Sequence, residues 1–146
     1  MKMSEEMIAY PVLCIAKGIA EQPYLYFARS EAELTTCSQV GLKSGFYDML
    51  VVFDVLGREY VVGDVKIVNK SDWGSRIRTL LGRQLTVDLS LIRIGKADFE
   101  TFKNRVLNVM QNNELYDCDY EMLHMVRTYN DFAEMIVGLT EFFYIK

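Results

Sequence analysis

The stretch FYDMLVVFDVLGREYVVGDVKIV, from Phe46 to Val68, decides the fold. Two apolar-rich runs flank Asp54-Val55-Leu56-Gly57, and a D-x-x-G segment suits a type I turn closed by a left-handed glycine at a bulge. The spacing therefore predicts a β-hairpin. If Asp54 stands opposite Arg58, the same register sets Asp48 opposite Asp64, with Lys66 diagonally adjacent. Odd positions Tyr47, Met49, Val51, Phe53, Val61, Val65 and Ile67 form one apolar face, broken by Glu59 and Gly63. Even positions mix Phe46, Leu50, Val52, Tyr60 and Val62 with Asp48, Asp54, Arg58, Asp64 and Lys66. One face must lie on the core, and the other is only partly covered.

Upstream, Met7 to Lys17 and Tyr24 to Ala28 read as strands, separated by a turn-rich connection from Gly18 to Pro23. Ser30-Glu31-Ala32-Glu33 matches a capping box, with hydroxyl and carboxylate three residues apart. It predicts a short helix from about Glu31 to Ser38, followed by a loop bracketed by Gly41 and Gly45. Downstream, Gln84 to Ile94 alternates Leu85, Val87, Leu89 and Leu91 with Thr86, Asp88 and Ser90, a further antiparallel strand with a wet side.

From Ala97 the period changes. Phe99, Phe102, Val106, Val109 and Met110 fall on one helical stripe, and Asn112-Asn113 is a stop signal. Asp119 can cap a second helix with Met122, Leu123 and Val126 inward. Asn130 can cap a third, with Phe132, Met135, Ile136 and Leu139 inward and Gly138 as its weak point. Strands first and helices last is the pattern of an α+β domain. The expectation is an antiparallel sheet of about five strands, a short helix after strand 2, and C-terminal helices packed on one face.

The chain has 146 residues, 51% of them apolar and 25% charged, which suits one domain spanning 1–146 and excludes both disorder and a membrane protein. The apolar run from Met7 to Ala20 follows Glu5 and Glu6 and is interrupted by Pro11 and Lys17. It is too short to span a bilayer and has the wrong flanks for export, so a buried strand in a cytoplasmic chain starting at Met1 is expected. Cys14, Cys37 and Cys118 form no C-x-x-C pair, and one histidine cannot complete a zinc site. Free, inert thiols are expected.

Charge is unevenly spread. Between Lys66 and Lys96 seven basic residues face two acids, a local net of plus five, whereas from Asp98 onward nine acids face four bases, a net of minus five. Such a dipole steers partners more than it shapes the fold. The overall charge of −4 argues against broad nucleic-acid binding. Trp73 beside Arg76, Arg78 and Arg83 could stack a base and neutralise phosphates. A solvated loop, or an edge guarded against pairing, is the simpler reading.

Several catalytic signatures fail on inspection. Gly41-Leu42-Lys43-Ser44-Gly45 lacks the glycine directly before lysine that a phosphate loop needs. Asp117-Cys118-Asp119-Tyr120-Glu121 imitates a calcium loop, but Met122 stands where the turn requires glycine. Glu121 and His124 make one E-x-x-H step, and a di-iron bundle needs two. His124, the sole histidine, lies beside the inner stripe of a helix, and no serine sits in a nucleophile elbow.

One enzymatic alternative is left. Asp48 on one strand and Asp64-Val65-Lys66 on its partner resemble the carboxylate and D-x-K pieces of the PD-(D/E)xK nuclease superfamily. The resemblance implies carboxylates holding a divalent cation that activates water, with the lysine stabilising charge on phosphate. A partly solvated sheet face on which Lys66 offsets two carboxylates explains the same residues.

In layout the chain resembles small, single-domain bacterial immunity proteins of polymorphic toxin systems. It shares two N-terminal strands, the hairpin Val52-Phe53-Asp54-Val55-Leu56-Gly57-Arg58-Glu59-Tyr60, and acid-rich C-terminal helices ending near Phe132-Ala133-Glu134-Met135-Ile136. The resemblance implies a non-enzymatic protein that binds and blocks one toxin, without catalytic residues, metal or cofactor. Asp117, Asp119, Glu121 and Glu114 cluster at a helix junction among Tyr116 and Tyr120. A basic toxin domain would be drawn to such a surface, and aromatics can anchor an interface. Capping is the simpler reading of Asp119, though a cap can also lie in an interface.

Overall fold

The turn forms where the spacing puts it, and a buried carboxylate holds it. In the computed structural model, which describes residues 7–17, 22–38, 42, 45–68, 84–113, 116 and 120–145, Asp54 is completely buried. Its Oδ1 accepts the backbone N–H groups of Leu56 and Arg58, both at 3.0 Å. Its Oδ2 accepts the Arg58 Nε at 2.8 Å and the Ala9 N–H at 3.2 Å. The Arg58 guanidinium completes the ion pair at 2.8 Å and donates to the Met7 carbonyl. Gly57 takes the left-handed conformation at φ 84°, and the Phe132 ring lies where its side chain would be.

Among the described residues, six strands make one antiparallel sheet in the order β2-β1-β4-β5-β6-β3. They are β1 (Val12–Ala16), β2 (Tyr24–Ala28), β3 (Thr36–Ser38), β4 (Val51–Phe53), β5 (Arg58–Ile67) and β6 (Gln84–Lys96). Four helices accompany them among the described residues: α1 (Glu31–Leu34), α2 (Phe99–Asn112), α3 (Tyr120–Thr128) and α4 (Phe132–Ile145). The architecture is α+β, and no helix of the described residues is long and apolar enough to cross a membrane.

The connection from β2 to β3 shapes the sheet. Ala28 and Thr36 are joined by seven residues, four of them in α1. Such a segment reaches about 20 Å, whereas the outer strands of a flat six-stranded sheet would stand about 24 Å apart. The sheet must therefore curl. Its convex face packs on the long helices, with Leu13, Ile15, Leu25, Phe27 and Phe53 meeting Phe102, Val106, Met110, Val126, Met135, Ile136 and Leu139. Its concave face closes on a second core of Val12, Cys14, Ala16, Ala28, Leu34, Cys37, Tyr47, Leu50, Val52, Tyr60, Val87 and Leu89. Strand β1 runs between the two cores and is buried along its whole length.

Several sequence expectations shift. The helix expected to reach Ser38 stops at Leu34, because β-branched Thr35 and Thr36 fold their hydroxyls back onto the carbonyls of Glu31 and Ala32. The next residues become a sixth strand, where Cys37 pairs with Leu85 and enters the inner core. Strand β1 begins at Val12, since Pro11 has no N–H to add to a ladder. Residues 7–9 form instead a strap pinned by Asp54 and Arg58.

The first hairpin arm is also shorter than expected. Residues 45–49 are turns, with Gly45 at φ 86° and Met49 at φ 61°, and Tyr47 and Leu50 plug the inner core. Met49 and Ile67, expected on the apolar face, are 76% and 55% exposed. The turns place Met49 outside the strand, and a register shift between Val62 and Asp64 interrupts the simple alternation before Ile67.

The helices keep their expected inner stripes. Asp98 caps α2 by accepting from the Thr101 N–H, and Asn113 ends it. At α4 the cap is Asp131, not Asn130: Asp131 accepts the Glu134 N–H, and Glu134 returns a carboxylate to the Asn130 N–H. Gly138 gives room to the Tyr129 ring, whose hydroxyl lies 2.5 Å from where a Cβ would stand.

Removing the buried carboxylate should be costly. Asp54→Ala leaves the largely buried Arg58 charge and two turn N–H groups without their partner, and should lower unfolding free energy in urea by about 3–5 kcal/mol. Glu59→Gln, which breaks the more exposed 3.6 Å pair with Arg105, should cost less than about 1 kcal/mol.

The inner core also sets an alkaline limit. Burial raises the Cys14 thiol above its ordinary 9.0, and raises the Tyr10 and Tyr47 hydroxyls above their ordinary 10.0. The folded state keeps these protons where the unfolded chain releases them. Stability is therefore full below the unfolded-state values and falls as pH rises beyond them. Urea midpoints should hold from pH 7 to about 8.5 and decline above about pH 9; a midpoint flat to about pH 11 would contradict this core.

Candidate functional site

The corner between α2 and α3 carries the aromatic residues singled out in the sequence, and the structure gives them different tasks. The Asn113 side chain donates to the Pro23 carbonyl at 2.9 Å, and the Tyr116 N–H returns to the Asn113 carbonyl. The Tyr116 hydroxyl accepts the Leu25 N–H at 2.5 Å and donates to the Leu25 carbonyl at 3.4 Å. Its ring packs edge-on against Phe143. Tyr116 thus occupies backbone groups on β2, the outer strand of the sheet, and is built into the fold.

Tyr120 behaves oppositely. It opens α3 with its ring 76% exposed and lies parallel to the His124 ring at 6.1 Å. The two residues are four apart, the spacing that brings side chains together on one helical face. Glu121 is exposed beside them. On the opposite side Met122, Leu123 and Val126 join the core. Asp117, Asp119, Cys118 and Glu114 lie outside the described residues.

The helix under this pair is firmly held. Lys103 is buried, sits 5.0 Å from the Phe99 ring centroid, and donates its Nζ to the Arg127 carbonyl at 2.9 Å. A cation is favourable against the last carbonyls of α3, where the helix dipole is negative. The core at Val126 and the Lys103 contact together hold the helix that carries Tyr120 and His124.

The hairpin carboxylates are not assembled in the expected way. The ladder between β4 and β5 has the predicted register, with Val51 opposite Val61 and Phe53 opposite Glu59, but it ends at Val51. Asp48 lies beyond that end, in the turns, where its carboxylate folds towards Gly45. Asp64 pairs instead with Ser90, and Lys66 with Asp88. All three side chains are exposed, and Lys66 faces an acid directly across the ladder, a favourable cross-strand arrangement. Among the described residues, no group of three or more His, Cys, Asp and Glu side chains is placed to hold a metal ion.

Neither described thiol is set up as a nucleophile. Cys14 and Cys37 are free and buried, and burial pushes both thiols up, away from the reactive thiolate. Of the basic stretch, Lys66, Arg93 and Lys96 belong to β5 and β6, whereas Lys70, Trp73, Arg76, Arg78 and Arg83 lie outside the described residues. Sequence reasoning overlooked the Tyr120–His124 pair as a unit, although its four-residue spacing was the available signal. It also set Asp54 opposite Arg58 to fix the register without reading the two as a buried ion pair.

Two measurements separate these roles. Tyr116→Phe should destabilise the fold by about 1 kcal/mol and speed amide exchange at Leu25, with no change at the exposed Tyr120. Isothermal titration with magnesium or manganese should show no binding that Asp64→Ala abolishes, since no strand pairing sets Asp48 against Asp64. Comparison with protein-family models, with curated proteins and with solved structures finds no match to this chain.

Proposed function

We propose that this chain is a non-enzymatic protein-binding domain that neutralises a basic toxin in the cytoplasm, as an immunity-like protein, with the N-terminal end of α3 as its docking surface. The observation that carries the reading is the Tyr120 ring, solvent-exposed and stacked on His124 above a firmly packed helix. Large aromatic rings contribute strongly to binding when a partner covers them, and they lose little side-chain entropy on doing so. Glu121 stands beside the pair, within a C-terminal third of net charge minus five. A basic partner would be attracted to that charge and oriented by it. Asp117 and Asp119 enter this reading through their sequence proximity to Tyr120 alone.

The test is affinity capture by the immobilised chain from a lysate of its source cells, followed by titration of the captured protein. The wild-type chain should retain a basic protein whose affinity falls as ionic strength rises. Tyr120→Ala should weaken that affinity by about 2 kcal/mol, roughly thirtyfold. Asp117→Lys with Glu121→Lys should weaken it through slower association, leaving circular dichroism and urea midpoints unchanged. Equal capture by wild type and by all three substitutions combined would remove this surface from the reading.

A further inference from the structure

We draw no further inference here: the strongest candidate, the outer edge of β6 beyond Val87 with Ile92 and Ile94 exposed along it, carries nothing because nothing in the structure shows what covers it.

Discussion

The Asp54 carboxylate is the constraint on which the rest of the molecule leans. A charge taken wholly out of water is unfavourable unless it is paired and its oxygens are filled, and here both conditions hold. The same group ties two pieces of chain together. It closes the β4–β5 turn, holds the strap at Ala9, and orients Arg58 towards the Met7 carbonyl. The turn it sets then receives neighbours of its own. The Gly57 carbonyl accepts the Ala97 N–H at the end of β6, and Phe132 packs over the Gly57 backbone at the start of α4. One buried ion pair therefore fixes the junction between sheet and helices.

Two cores share one sheet, and the sequence announced them unequally. The helical core was legible because a 3.6-residue period is unambiguous over α2 and α4, and because capping residues punctuate the chain near the helix starts. The turn was legible because few residues other than glycine tolerate the conformation at position 57. The inner core was harder to see. Its residues come from both parities of the hairpin and from short elements such as Thr36–Ser38, too brief to show a period. The clearest hint was Val12–Ala16, apolar at every position, which is what a strand covered on both faces requires.

At the candidate sites the sequence conveyed register better than extent. Pairing Asp54 with Arg58 predicted the correct ladder, yet the strand stops before Asp48, because Gly45 and Met49 adopt positive φ and the chain turns away. Two carboxylates that share a register on paper therefore part in space. Tyr116 and Tyr120 lie four residues apart in an acidic segment and looked equivalent. Tertiary context separates them: one hydroxyl finds the backbone of an edge strand, while the other ring, set at a helix start, lies beside His124 and stays exposed. Periodicity cannot resolve that difference, since it depends on where β2 passes.

The short link between β2 and β3 has a consequence for how the chain reaches its native state. Strand β3 follows β2 closely in sequence but among the described residues pairs with β6, so Thr36 waits for Thr86, about fifty residues later. During synthesis the concave side cannot close until the ribbon of β5 and β6 has emerged and bent round to meet it. Leu34 and Cys37, sealed in the finished molecule, are exposed in the meantime. Closure of the curled sheet is thus a late, non-local event. The partly made chain is most open to mispairing at the strand that completes its inner core.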